Sequence, residues 1–378
     1  MKKILIIMAS YWPGFKECGV LQSVRNLVDV FGDKAAFNVL THNHDLFSEE
    51  IYTNVKSDTW NEIGKAKVFY SSHNCFSVNF LRKMTSGYDA IFLCGPYWLH
   101  SQKIVLLKKL CLIQPTVYLA SMGTFSPGSL KLNRLKKYLF WKVFNFLKLG
   151  KGITWSFTSE KELSEAKDVL SEDNCSTYIL ANDLPRKYED YQYLRGSSTK
   201  KSGELKIVFL SRISPGKNLT YALDLIKKLD GKITFDIYGN ISDSNYWEEC
   251  KRKIRNLPKN VTCIYKGSIL PDMAIQVFSS YDAFLFPTLG ENFGHVIYEA
   301  LLSGCIPLIS NNTPWDNLEE AGCGYVTCLE DNNGYANKIN KLLLLDDVGI
   351  SRIRKNAYLY AKDFYQDISA NSGYVKLL

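Results

Sequence analysis

Two series of short apolar runs, separated by one polar stretch, constrain the fold of this 378-residue chain more than any other feature. The first series lies at 3–8, 36–40, 66–69, 90–93, 116–120, 153–158 and 177–180. These runs are rich in Ile, Val, Leu and Phe without clean alternation, the pattern of parallel strands buried on both faces. Helix-period stretches such as 20–31 and 102–112 fall between them, which predicts a doubly wound α/β sheet. Residues 185–205, PRKYEDYQYLRGSSTKKSGEL, are polar and carry no apolar period, so they read as a linker. A second α/β series follows at 206–210, 234–238, 262–265, 283–286, 306–309 and 324–327. Helices are predicted between its strands at 219–229, 246–257 and 273–279. The chain also exceeds what one core usually supports. We therefore expect two domains, 1–184 and 206–378, with the last helix of the second packing back on the first.

Composition narrows the function classes. Apolar content of 46% with 22% charged residues excludes a disordered chain. The cysteines show no CxxC and no regular spacing, so they read as reduced, mostly buried thiols of a cytosolic protein. The opening MKKILIIMAS imitates a signal peptide, but its apolar run is short and meets Tyr-Trp-Pro-Gly at once, so it reads as a buried first strand. No apolar run approaches a membrane span.

The net charge of +8 is concentrated. No acid occurs between Asp89 and Glu160, while Lys103, Lys108, Lys109, Lys131, Arg134, Lys136, Lys137, Lys142, Lys148 and Lys151 do, interleaved with Tyr138, Phe140, Trp141, Phe144 and Phe146. Nucleic acid and an anionic membrane surface are the partners such a face attracts. No nucleic-acid recognition motif accompanies it, so we expect no nucleic acid. Within 130–150, Leu132, Leu135, Leu139, Val143 and Phe146 form one apolar stripe at helical spacing. Two readings stand: a surface helix with this stripe in the core, or a peripheral membrane helix.

The chemistry concentrates in FPTLGENFGHVIYEALLSGCIPLIS, 286–310. Glu291 sits at the mouth of a loop, Glu299 lies inside the helical pattern that follows, and Gly304 ends that helix. Eight residues place the two acids in one sector, about 12 Å apart along a helix axis. That suits one elongated ligand with a sugar at one end and a ribose at the other, and it is too far for two carboxylates sharing a glycosidic oxygen. The helix start favours a diphosphate. After the strand at 206–210, the turn SRISPGKN carries Arg212 and Lys217, a planar fork and a point charge suited to a pyrophosphate. Such cations stabilise a departing nucleoside diphosphate. Gly19, at the start of the first helix, lets backbone approach a phosphate, or merely shapes the turn. The absence of GxGxxG counts against a dinucleotide.

Glu291 and Glu299 resemble the E-x7-E motif of retaining GT-B glycosyltransferases, family 4, and the likeness extends to SRISPGKN, to YDAFLFP and to the CGV turn near the N-terminus. TPWDNLEEAGCGYV and SMGTFSPGSLKLNRLKK resemble enzymes of bacterial surface-polysaccharide assembly. The resemblance implies two Rossmann-like domains facing across a cleft, and transfer of a sugar from a nucleoside diphosphate to a lipid-linked glycan with retention of configuration. It implies that Arg212 and Lys217 hold the diphosphate and that Glu291 meets hydroxyls of the transferred sugar. Amides of Asn292, Phe293 and Gly294 would line that sugar, Glu299 would accept from the ribose, and Gly19 would approach the diphosphate. Ser268 and Ile269 are candidates for the base pocket. Where many members carry a His, this chain has Ser121-Met122-Gly123-Thr124, so Gly123 and Thr124 are the candidates there.

The histidines, at 42, 44, 73, 100 and 295, show no metal-ligand spacing, and no Asp-x-Asp is present. His42 and His44 read as solvated loop residues, His295 as a helix-start residue or ligand contact, and Trp315 as packing under a loop. We expect no cofactor and metal-independent transfer in the cytoplasm, peripheral to the inner face of the plasma membrane. A sugar-nucleotide hydrolase or epimerase, and a non-catalytic carbohydrate- or nucleotide-binding scaffold, are the rival functions.

Overall fold

A computed structural model describes residues 1–14, 18–46, 48–73, 76–131, 133–187 and 200–378. Leu132 and the 188–199 part of the expected linker lie outside the described residues. The chain forms two compact units, Met1–Pro185 with Ile368–Leu378, and Arg186–Asp367.

In unit 1 the strands are β1 Lys2–Ile7, β2 Ala35–His42, β3 Trp60–Ile63, β4 Ala66–Ser71, β5 Ala90–Cys94, β6 Thr116–Ala120, β7 Ile153–Phe157 and β8 Tyr178–Leu180. They lie in the order β3-β4-β2-β1-β5-β6-β7-β8, every pair parallel except β3–β4. β1 shows why alternation was missing from the sequence. Ile4 and Ile6 enter the core layer on one face and Leu5 and Ile7 the layer on the other. β3, WNEI, was not anticipated; it is a partly exposed antiparallel edge strand with little apolar content to announce it.

The unit 1 helices are α1 Cys18–Phe31, α2 Val78–Met84, α3 Leu99–Lys109, α4 Pro127–Lys131, α5 Arg134–Phe146 and α6 Glu160–Lys167. α3 stops short of the expected 112 because Cys111 turns left-handed, φ 55°, and the amide of Leu112 caps the carbonyl of Leu107 at 2.9 Å. On α5 the core-facing reading of the stripe is overturned. Leu135 and Phe146 are 70% and 85% exposed, and Leu139 and Val143 are exposed with them. Trp141 and Phe144 are buried instead, packed with Phe125 and Trp155, and the indole of Trp141 donates to Tyr97 Oη at 3.0 Å. Two large aromatics bring more area to the core than the aliphatic side chains opposite, and they set the rotation of the helix.

In unit 2 the strands are β9 Glu204–Leu210, β10 Lys232–Tyr238, β11 Val261–Tyr265, β12 Ala283–Phe286, β13 Ile306–Ser310 and β14 Tyr325–Thr327. The order is β11-β10-β9-β12-β13-β14, all parallel. The helices are α7 Leu219–Ile226, α8 Ser244–Arg255, α9 Ala274–Ser279, α10 His295–Leu302, α11 Asn332–Leu344 and α12 Asp347–Ala370. From β9 the chain winds outward to β11, then returns to lay β12 on the other side of β9. That reversal makes β9/β12 the switch point where loops diverge at the carboxyl edge and leave room for a ligand. Among the described residues no helix is long and apolar enough to cross a membrane.

Candidate active site

The loops leaving β9 and β12 carry Lys217 and Glu291, and the switch point brings them together. Lys217 closes a 3-10 turn, Pro215–Lys217, behind a left-handed Asn218, φ 59°. The amide of Leu289 donates to the carbonyl of Gly216 at 2.9 Å and stitches the two loops. Lys217 Nζ then pairs with Glu291 Oε1 and lies 5.6 Å from the Phe286 ring centroid. The Thr288 hydroxyl is 3.2 Å from the same carboxylate oxygen. Both charges are largely withdrawn from water, at 17% and 14% side-chain exposure, so water screens the pair only weakly.

Arg212 lies on the β9 loop, exposed, and among the described residues it pairs with no carboxylate. The loop can pass there because Gly239, φ 140°, has no side chain: a Cβ would lie 1.7 Å from the Ser211 carbonyl oxygen. Nothing in the sequence pattern singled out that glycine.

Gly294 shapes the entry to α10. It is left-handed, φ 78°, and turns the chain abruptly into the helix. Among the described residues the amides of Asn292, Phe293 and Gly294 have no acceptor, so three donors are left over at the helix start. The Phe293 ring is buried and its carbonyl accepts from the Trp315 indole at 2.5 Å. Trp315 is itself buried, with Phe364 of α12 at 4.6 Å, which agrees with packing under the loop. α10 ends at Leu302, and Gly304 is left-handed two residues later.

Glu299 is only 7% exposed on α10. Burial raises its carboxyl to about 7; Arg186 opposes that rise and Asp272 adds to it. His295, a turn earlier, is held down at about 3 by burial and by Arg186, so it is a neutral imidazole. Arg186 is a site residue that sequence reasoning missed, because its surroundings read as linker. Ser268, exposed, and Ile269 lie on the loop after β11 that leads to the 3-10 turn Pro271–Met273. Arg186 ties that turn down through an ion pair with Asp272.

In unit 1, Gly19 lies in the first turn of α1, exposed, with open space where a Cβ would project. Gly123, φ 72°, follows β6, and its amide donates to Glu162 Oε1 at 2.7 Å. The other carboxylate oxygen of Glu162 accepts from Thr158 N and Oγ1 at 2.8 and 2.9 Å. Thr124 is buried. The reading of His42 and His44 as solvated does not hold. His42 is half-buried at the end of β2, stacked on Phe76 at 4.5 Å and on His44 at 5.4 Å, and burial lowers its affinity for a proton. No group of ligating residues that could hold a metal occurs among the described residues.

Residues 190–362 match the family described as Glycosyl transferases group 1. No curated protein matches the chain. Among solved structures, Anabaena HepE in complex with UDP and glucose is 16% identical, covers 98% of each chain and has a TM-score of 0.68. WaaG, a glycosyltransferase involved in lipopolysaccharide biosynthesis, is 12% identical over 98% of this chain and 99% of its own, with a TM-score of 0.67. Sucrose-phosphate synthase from Thermosynechococcus elongatus is 14% identical over 98% and 97%, at 0.65. The chain has the GT-B fold, and its residues 190–362 are similar to the group 1 glycosyltransferase family.

Proposed function

We propose that this glycosyltransferase moves a sugar from a nucleoside diphosphate to a hydroxyl of a lipid-linked glycan, with retention of anomeric configuration, in assembly of a bacterial surface polysaccharide. The observation that carries the reading is at the loops of the β9/β12 switch point: a shielded Lys217–Glu291 pair, with Arg212 and the three amides at 292–294 unpartnered among the described residues. The ligands of HepE, UDP and glucose, and the lipopolysaccharide role of WaaG support the donor class and the pathway.

In this reading Arg212 and Lys217 clamp the diphosphate, with no metal required. Glu291 and the amides of Asn292, Phe293 and Gly294 hold the sugar, and Glu299 accepts from the ribose. The bond from the anomeric carbon to the phosphate oxygen breaks as the acceptor oxygen bonds on the same face. The acceptor proton passes to the departing phosphate oxygen, whose new charge the two cations stabilise. Ser268 and Ile269 serve the base. On unit 1, Gly19 serves the diphosphate, and Gly123 and Thr124 the acceptor side. The exposed stripe of α5, flanked by Lys131, Arg134, Lys136 and Lys142, docks on an anionic membrane surface, where each basic residue adds about 1 kcal/mol.

Two experiments test the reading. Donor consumption is measured with and without glycolipid acceptors; acceptor-dependent product is expected, and hydrolysis indifferent to every acceptor contradicts transfer. Co-sedimentation with phosphatidylglycerol vesicles should fall at least fivefold in Leu139→Ser/Phe146→Ser. Equal binding to neutral vesicles, or no loss in the variant, removes α5 as the docking surface.

A further inference from the structure

Ser159-Glu160-Lys161-Glu162 has the spacing of a capping box, in which the glutamate reaches back to the amide of the cap residue itself. Half of that box forms: Ser159 caps α6, and its hydroxyl accepts from the Glu162 amide at 3.2 Å. The glutamate side chain goes elsewhere. Its Oε2 accepts from Thr158 N and Oγ1 at 2.8 and 2.9 Å. Its Oε1 accepts at 2.7 Å from the amide of Gly123, 39 residues earlier in the chain.

Glu162 is buried, and among the described residues no cation pairs with it. Withdrawing a carboxylate from water is costly, and the helix does not require it, because the serine already serves as its cap. What the second oxygen adds is a hold on the turn after β6. That turn is strained where it is held. Met122 and Gly123 are both left-handed, φ 50° and 72°, and methionine lacks the freedom of glycine there. Both carboxylate oxygens accept from backbone N–H groups, so a side-chain amide in the same place would turn its NH2 against one of them. The rest of the turn is tied back on itself. The Thr124 amide donates to the Ser121 carbonyl at 3.1 Å, and Ser126 N and Oγ donate to the Gly123 carbonyl at 3.3 and 3.0 Å. The Met122 amide, between these fixed points, has no acceptor among the described residues.

We propose that Glu162 is a positioning residue for the acceptor: its carboxylate clamps the Met122–Gly123 turn so that the Met122 amide meets a hydroxyl oxygen of the acceptor glycan. The inference rests on the assignment of this turn to the acceptor side given above. It places Glu162 outside the nucleotide site, so that recognition of the donor does not depend on it.

Hydrogen exchange of protein labelled with nitrogen-15 glycine reads the clamp directly. In wild type the Gly123 amide should be protected at least about tenfold, as for a hydrogen bond to a charged group, and Glu162→Gln should abolish that protection. Steady-state transfer is then measured on both proteins with the glycolipid acceptor that gives product. Glu162→Gln should lose at least about tenfold in kcat/KM for the acceptor, the effect of a misplaced contact, and keep its donor KM within about twofold. An unprotected Gly123 amide in wild type overturns the proposal. So does an unchanged acceptor kcat/KM in Glu162→Gln, which would leave Glu162 a structural tether, and so does an equal effect on the donor KM. If Glu162→Gln does not fold, Glu162→Asp, one methylene too short to hold both loops, is measured in its place with the same expectations. If wild type gives no product with any acceptor, the acceptor reading of unit 1 falls and the proposal with it, whereas failure of the proposal alone leaves wild-type transfer intact.

Discussion

Glu299 is under two opposed demands. Burial favours its neutral form, whereas a ribose contact through accepted hydrogen bonds is strongest with the anion. Its carboxyl is raised from 4.5 to about 7, so the folded chain binds this proton more tightly than the unfolded chain does. Glu299 therefore makes stability fall as pH rises from about 4.5 towards 7, while donor affinity should rise as pH passes upward through 7. Urea denaturation at pH 5 and pH 8 should show Glu299→Gln losing part of the wild-type difference, and donor affinity in that variant should be flatter with pH. An identical pH dependence in both proteins would remove Glu299 from the nucleotide site. The neighbouring pair makes a second residue-scale prediction. Lys217→Ala leaves the Glu291 carboxylate largely buried without its partner and removes a diphosphate cation, so transfer should drop by at least two orders of magnitude. Retention of more than about a tenth of wild-type turnover would contradict the assignment.

At the scale of elements, α10 owes its position to contacts outside itself. Its left-handed entry at Gly294 is fixed by the Trp315 indole on the Phe293 carbonyl, and Trp315 is packed by Phe364 from α12. Trp315→Phe deletes that donor and leaves space in a full core, so stability should fall by about 2–3 kcal/mol in urea unfolding. The donor KM should rise with it, because the three amides lose their support. A stability loss with unchanged KM would show that the loop is held elsewhere.

The same scale shows what the sequence could reveal. Parallel strands such as β12, buried along their whole length, were legible because burial on both faces leaves no room for polar residues. The loops that carry Glu291, Lys217 and Arg212 were legible because strand, turn and helix signals fix where such loops emerge. The rotation of α5 was not. A stripe gives periodicity but not which side meets the core, and Trp141 with Phe144 outweighed it. Arg186 was hidden because a polar stretch carries no sign that one of its residues turns inward.

For the molecule as a whole, the two units differ in how much of their chemistry is readable. The match at 190–362 falls within unit 2, where strand order predicts the site at β9/β12. Unit 1 carries the acid-free window and the exposed face of α5, and its Gly123 amide is committed to Glu162.

The central claim is that unit 2 binds a nucleoside diphosphate through the cations after β9. A thermal-shift comparison of UDP, GDP and ADP on wild type and Arg212→Ala/Lys217→Ala tests it most directly. At 100 times its dissociation constant, one of the three should stabilise the wild type by about 2.7 kcal/mol and leave the double variant almost unmoved. No shift with any of them, or an equal shift in both proteins, would contradict the account.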